Sequence, residues 1–327
     1  MTRKEFSRTL MSFIQRYDRF VLSGHIRPDG DSVGACAALA LALQDMGKEA
    51  WICFDGDPER YTRLLAPLPV LTSEKEEELH SFAFIMLDCC EPGRTGRAEA
   101  FIMRAQGSLS VDHHITCKEY ADFNYAEPET TSASEVLYHL MGEAGIPVTK
   151  EMAEALFMGV AFDTGGFRHS STTADTYRMA ADLVDRGVDQ TRILNALFHT
   201  RRFSEARGLS LAIRKAKLYD GQILMSCLSQ GDFFQIAAQI SEMEGVAGQL
   251  IEIEEAEAAV FMRENEDGSI RVNMRSKDKV DVARVAAQFG GGGHVKAAGC
   301  TLQVPMLLAK EQVLAAIRKQ LAEQQAE

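Results

Sequence analysis

Four short stretches of this chain concentrate side chains that could bind a cation or move a proton. In GHIRPDGDSVGA, residues 24–35, His25, Asp29, Asp31 and Ser32 share one small loop. Asp88 closes FAFIMLD (82–88), Asp112, His113 and His114 follow SLSV, and Asp163 ends TKEMAEALFMGVAFD just before a Gly-Gly turn with Arg168 and His169. Singly, most have a bland reading. Asp31 with Ser32 reads as a helix N-cap, a lone His25 as a surface or satisfied core residue, and Asp88 as the polar end of a buried strand. Cys89 and Cys90 read as core thiols. Asp112-His113-His114 is harder to dismiss, because three ionisable groups at a buried strand end are costly when unpaired. Gathered in one place, these five carboxylates and three imidazoles would repel and titrate one another unless cations neutralised them. Oxygen ligands mixed with imidazole suit Mn²⁺, Mg²⁺, Co²⁺ or Zn²⁺. The donors suffice for two ions, and a pair about 3.5 to 4 Å apart is a standard arrangement for attack on a phosphoryl group.

The elements expected around these residues would bring them together. RFVLSG (19–24), AWICF (50–54), FAFIMLD and SLSVD (108–112) are apolar, strand-like runs without alternation, as strands buried on both faces of a parallel sheet require. DSVGACAALALALQDMG (31–47), SASEVLYHLMGEAG, TKEMAEALFMGVAFD and TADTYRMAADLVDRG carry helical patterns. His25, Asp88 and Asp112–His114 then all fall at carboxyl ends of strands, where ligands bind in open α/β sheets. The expectation is a doubly wound, mainly parallel α/β domain over 1–187, a helical connector over 188–215 and a smaller α+β domain over 216–327. KLYDGQILMSCLS and AAVFMRENEDGSIRVNMRS each hold two strand-like runs around a DG turn. DVARVAAQFG reads as a helix, followed by the glycine run GGGGHVKAAGC and a charged helix.

Length and composition limit the rest. The 327 residues exceed a single core, and 46% hydrophobic with 25% charged residues is the balance of a globular protein. The opening MTRKEFSRTLMSFIQRYDRF does not resemble a signal peptide, and no apolar run approaches the roughly 20 residues that span a bilayer. A cytoplasmic protein with no membrane partner is expected. The seven cysteines are odd in number and lack C-x-x-C spacing, so they read as reduced thiols. A net charge of −12 argues against binding long duplexes over the whole surface. A local patch exists: Lys and Arg at 271, 275, 277, 279, 284 and 296 stand against only Asp278 and Asp281 between 270 and 300. The glycines beside His294 and Lys296 would let backbone N–H groups approach a phosphate, although a glycine run alone is usually a flexible loop.

In this order, HIRPDGDS, LDCC, VDHH and FDTGGFRHS resemble the four motifs of the DHH phosphoesterase superfamily, and RSK with GGGGHVKAAG resembles its DHHA1 substrate domain. The likeness covers nearly the whole chain. Its length and layout are similar to the members that combine oligoribonuclease with 3′-phosphoadenosine 5′-phosphate (pAp) phosphatase activity, more than to the longer RecJ exonucleases or the membrane-tethered cyclic-dinucleotide phosphodiesterases. The resemblance implies two divalent ions, Mn²⁺ foremost, with His25, Asp29 and Asp88 on one, Asp31, His113 and Asp163 on the other, and Asp88 bridging. It implies that Asp112 orients the histidines and that His114 stabilises charge or protonates the leaving oxygen. Arg275, His294 and the backbone of Gly291, Gly292 and Gly293 would grip the nucleotide end, with Arg168 reaching in from the first domain. The expected substrates are short single-stranded oligonucleotides, linear dinucleotides such as pApA or pGpG, and nucleotide bisphosphates, and a homodimer is the family expectation. The second glycine of FDTGGFRHS departs from the family pattern and is expected to loosen the loop bearing Arg168. The alternatives are a cyclic-dinucleotide phosphodiesterase, an inorganic pyrophosphatase of the same superfamily, and a non-catalytic nucleotide-binding module.

Overall fold

A computed structural model describes residues 1–115, 117–200, 202–236, 243 and 245–325. They form two compact units, Met1–Thr200 and Arg201–Glu327, and the division falls within the stretch read as a helical connector.

The first unit runs α1 (Arg3–Arg16), β1 (Arg19–Ser23), α2 (Gly30–Asp45), β2 (Glu49–Ile52), α3 (Glu59–Thr62), α4 (Ser73–Glu77), β3 (Ala83–Leu87), α5 (Glu99–Arg104), β4 (Ser108–Asp112), β5 (Phe123–Ala126), α6 (Ala133–Ala144), α7 (Lys150–Asp163), α8 (Ala174–Asp185) and α9 (Gln190–Leu194). Its sheet has the order β2-β1-β3-β4-β5, and every pair is parallel. Both faces are covered, which is why the strands lack alternation. Phe20, Leu22, Ile85, Leu87, Leu109 and Val111 join one core with α1, α2, α6 and α7. Val21, Phe84 and Met86 join a second core with Phe82 and Phe101 on the opposite face. The expected strands and helices are present; α1, the short helices α3, α4 and α5, and β5 were not foreseen. Strand order reverses between β1 and β3, so the loops after them open onto the crevice where such sheets bind ligands.

The cap of α2 differs from the expectation. Asp29, and not Asp31, is the N-cap, its Oδ1 accepting from the backbone N–H groups of Asp31 at 3.0 Å and Ser32 at 3.1 Å. Asp31 lies inside the first turn, where its carboxylate is committed to another helix.

Helices α2 and α7 cross with almost no side chain between them. A Cβ on Gly34 would come 2.5 Å from the Ala155 carbonyl oxygen and 3.2 Å from the Gly159 Cα. Only hydrogen fits at that crossing, and it fixes the spacing of the two helices that carry Asp31 and Asp163.

The second unit runs α10 (Phe203–Lys215), β6 (Lys217–Tyr219), β7 (Ile223–Leu228), α11 (Gln230–Ile236), α12 (Val246–Leu250), β8 (Ala258–Glu264), β9 (Ile270–Ser276), α13 (Val282–Ala287), β10 (Gly292–His294), β11 (Ala297–Leu302) and α14 (Met306–Gln325). Its sheet order is β10-β11-β9-β8-β7-β6. Both DG hairpins are present, with Asp220 and Gly221 at φ 50° and 69° in the first and Gly268 at φ 79° in the second. The parallel β7–β8 pair, linked through α11 and α12, was not foreseen. The glycine run is not a flexible loop. Gly292 and Gly293 begin the edge strand β10, paired antiparallel with β11. A Cβ on Gly291 would lie 2.3 Å from the Gly299 carbonyl oxygen, and Gly293 has φ 144°. At Gly292 a Cβ would meet open space.

Candidate metal centre

Each of the first-unit residues singled out by type comes from the end of a strand or helix. His25 follows β1, Asp88 follows β3, Asp112 ends β4 with His113 and His114 beyond it, Asp29 and Asp31 open α2, and Asp163 is the last residue of α7. The fold collects them into three overlapping groups. His25, Asp29 and Asp88 form one, Asp31, His113 and Asp163 a second, and Asp88, Asp112, His113 and His114 a third, each with its ligand atoms within 4.8 Å of one another.

Asp88 joins the first two. It is 3% exposed; its Oδ2 stands 3.4 Å from His25 Nε2, while its Oδ1 stands 3.6 Å from His113 Nε2. His25 Nε2 also faces Asp29 Oδ2 at 3.4 Å, and His113 Nε2 faces Asp163 Oδ2 at 3.4 Å. The two oxygens of one carboxylate are thus divided between two donor sets. Asp88 adopts φ 55°, a left-handed conformation that aspartate tolerates better than most residues but at a cost.

Asp31 is held from behind. Its Oδ2 accepts from the Ala133 N–H at 2.7 Å and its Oδ1 from the Ser134 N–H at 2.9 Å, both in the first turn of α6. Those amides are left without intrahelical partners at a helix start and carry the positive end of its dipole, which favours a carboxylate there. Gly159 supplies the room, since a Cβ on it would fall 2.0 Å from Ser134 Oγ and 2.7 Å from Asp31 Oδ1.

Asp112 is fully buried and faces the histidine that follows next but one. Its Oδ1 accepts from the His113 N–H at 2.6 Å, the His114 N–H at 2.9 Å and the His114 ring Nδ1 at 2.6 Å. It therefore fixes the His114 ring and the backbone of both histidines, and not the ring of His113. The Cys117 thiol approaches its Oδ2 at 3.6 Å.

The charge balance of these groups fits a cation. Burial works against charge on His25, yet Asp29 and Asp88 outweigh it and hold the imidazole up at about 11. His113 is likewise disfavoured by burial but held up at about 9 by Asp88 and Asp31. In turn Asp88, despite its burial, is held below the usual carboxylate range by His113 and His25. The other two carboxylates lack that relief: burial and then the Asp88 charge push Asp31 up to about 7, and burial with Asp31 and Asp88 pushes Asp163 well above its ordinary range. The donor set is short of positive charge, and its oxygen and imidazole atoms suit a divalent ion. The cluster fits a metal.

The substrate-side expectations fall elsewhere. Arg168 folds onto its own turn, its Nε donating to the Gly165 carbonyl at 2.9 Å. The second glycine, Gly166, stands in a turn of left-handed backbone. Gly165, Gly166 and Phe167 are consecutive left-handed residues at φ 58°, 72° and 65°, and the His169 ring occupies the space of a Gly165 side chain. Arg275 and Gly291–His294 lie in the second unit, where Arg275 is half-buried and its Nη1 donates to the Met274 carbonyl at 2.9 Å. Sequence reasoning missed the Ala133 and Ser134 amides and Gly159. A glycine inside the helical run FMGVAFD was their only local signal.

Comparison with known proteins agrees with these features. Residues 19–160 match the model of the DHH family, N-terminal domain, and residues 224–324 match that of the DHHA1 domain. The chain is 29% identical over 304 residues to the bifunctional oligoribonuclease and PAP phosphatase NrnA of Thermus thermophilus, covering 92% of this chain and 89% of that one. It is 27% identical to the protein of the same description from Bacillus subtilis, covering 90% and 92%. Among solved structures it resembles an exopolyphosphatase-related protein from Bacteroides fragilis, with a TM-score of 0.87, 23% identity and coverage of 96% and 95%, a likeness of fold.

Proposed function

Because this chain belongs to the DHH family, with a DHHA1 domain following its N-terminal DHH domain, we propose that it is a metal-dependent phosphoesterase that degrades very short oligoribonucleotides and linear dinucleotides to mononucleotides and removes the 3′-phosphate of pAp. One observation supports this above the others: the Asp88 carboxylate turns one oxygen toward His25 and the other toward His113. A carboxylate shared between two donor sets is what a two-ion phosphoryl-transfer site requires. His25, Asp29 and Asp88 would hold one ion and Asp31, His113 and Asp163 the other, with Mn²⁺ the expected metal and Mg²⁺, Co²⁺ or Zn²⁺ as alternatives. Bound there, the ions would supply Lewis acidity to the phosphoryl oxygens and lower the pKa of the attacking water.

The remaining work belongs to side chains. Asp112, accepting from His114 Nδ1, leaves Nε2 of that ring to meet the departing oxygen, where it stabilises charge or delivers a proton. Arg275, Gly291–Gly293 and His294 would hold the nucleotide end, with Arg168 serving the phosphate. No helix among the described residues is long and apolar enough to cross a membrane. A cytoplasmic enzyme acting on small nucleotides is the reading, and seven free cysteines suit it.

The test is to incubate purified protein and Mn²⁺ with pApA, pAp and pyrophosphate and to follow AMP and phosphate. Release of AMP from pApA and pAp is expected. Hydrolysis of pyrophosphate alone would overturn the reading.

A further inference from the structure

The second unit contains a cavity that the proposed reaction does not use. It has a volume of about 410 Å³ and lies at the β6 edge of the six-stranded sheet, the edge opposite the β10 strand that carries Gly292 and His294. Its lining is unusual in a chain with a net charge of −12. Lys215 at the end of α10, Lys217 on β6 and Lys310 on α14 all face it, against the single carboxylate of Asp232. Asp232 is already taken. It pairs with Lys215 at 2.5 Å and accepts from both the backbone N–H and the hydroxyl of Ser229. Lys310 Nζ stands 5.2 Å from the centroid of the Tyr219 ring, and Lys217 forms no ion pair among the described residues.

Two ammonium groups therefore remain without a carboxylate. Much of the remaining wall is apolar. Met225 stands beside Lys217 in the β6–β7 register, and Met306 from the start of α14 lies against the same core. Lysine on an edge strand also discourages strand pairing, but that purpose needs neither Lys310 nor a cavity behind it. A cavity of this size, with an apolar wall and a few convergent charges, is the ordinary form of a small-molecule site. The charge calls for a dianion. The wall calls for a planar or apolar body attached to it.

We infer that this cavity binds a nucleoside monophosphate, with the phosphate at Lys217 and Lys310 and the base against Met225 and Met306. The choice of ligand rests on the proposed function, because such a monophosphate is what hydrolysis of a linear dinucleotide releases. The cavity would then register product through residues of the second unit, whereas the metal-ligand residues belong to the first.

The experiment is a calorimetric titration of the full chain with AMP, in chelator so that the metal cluster is empty, with adenosine and inorganic phosphate as separate probes. Three proteins are compared: the unsubstituted chain, Lys217→Ala/Lys310→Ala, and Arg275→Ala. The double variant should bind AMP at the cavity at least about tenfold more weakly, because it loses two charge-assisted contacts, while Arg275→Ala, which removes only a contact assigned to the nucleotide end of the substrate, should keep the AMP binding that depends on Lys217 and Lys310. Far-ultraviolet circular dichroism and melting should match across the three. The inference is overturned when the double variant binds as the unsubstituted chain does, when only Arg275→Ala loses binding, or when the unsubstituted chain binds no AMP at millimolar concentration. Initial hydrolysis of pApA by the double variant is measured separately. Absence of hydrolysis in the unsubstituted chain would remove the proposed function and not the site.

Discussion

Gly159 of α7 stands where any side chain would collide with Asp31: a Cβ there would lie 2.7 Å from Asp31 Oδ1 and 2.0 Å from the Ser134 hydroxyl that accompanies it. The geometry of one donor set thus depends on a hydrogen atom four residues before Asp163. Gly159→Ala should push α7 away from α2 and α6, cost about 1–3 kcal/mol as overpacking does, and weaken metal binding by the Asp31, His113 and Asp163 set. Gly142→Ala is the control, because a Cβ there meets nothing within 4 Å and alanine is the better helix former by roughly 1 kcal/mol. Metal titration and thermal melting of both variants check this; equal metal stoichiometry and affinity in Gly159→Ala would refute it.

Asp88 combines a buried carboxylate with a left-handed backbone at φ 55°. Asp88→Gly removes the carboxylate and relaxes the backbone together. The metal-free variant should melt no lower than the metal-free parent, since left-handed φ in a non-glycine residue costs on the order of 1 kcal/mol. It should also lose metal binding and turnover. Retained turnover with Mn²⁺ would show that this carboxylate does not bridge.

Asp112→Asn keeps the size of the side chain but removes the charge that faces His114 Nδ1 at 2.6 Å. Turnover should fall about 10- to 100-fold, as loss of a group that orients an active imidazole does, with KM little changed. A rise in KM at constant kcat would assign Asp112 to substrate binding instead.

Glu135, 2% exposed, accepts from the Thr131 N–H at 2.9 Å and from the hydroxyls of Thr131 and Thr176, with His139 at 4.0 Å. Burial opposes its charge, but His139 and these donors outweigh burial and hold the carboxyl down at about 2. Its folded pKa is thus below the unfolded value. The stabilisation is complete above about pH 4.5 and is lost as pH falls toward 2. Glu135→Gln should lower stability by roughly 2 kcal/mol at neutral pH and by much less near pH 3. Urea melts of both proteins across that range measure it. A constant difference from pH 7 to pH 3 would contradict the assignment.

The strand ends were legible because a strand buried on both faces leaves an uninterrupted apolar run, and the first polar residue after it marks the crevice. His25, Asp88 and Asp112 were placed on that ground alone. The two aspartates flanking Gly30 were not separable in this way. Either could cap α2, and the choice is made by amides of α6, 102 residues away in sequence, that claim Asp31. Gly159 was invisible for the same reason, since its need for hydrogen arises from two other helices. FNYA is too short and too exposed to announce β5, and its only buried residue is Tyr125. The edge strand in the glycine run was not legible, because composition does not show that Gly291 and Gly293 are pressed against β11.

The donors of the cluster come from the loops after β1, β3 and β4 and from the ends of α2 and α7, so an ion held among them ties the sheet to the helical layer over one face of it. Unfolding the first unit would have to release that ion. At a free metal concentration one hundred times the dissociation constant, this linkage adds about 2.7 kcal/mol to its stability. With an ion bound, the cluster would double as a clasp on the fold, and metal supply would then set how long the first unit resists heat and proteolysis.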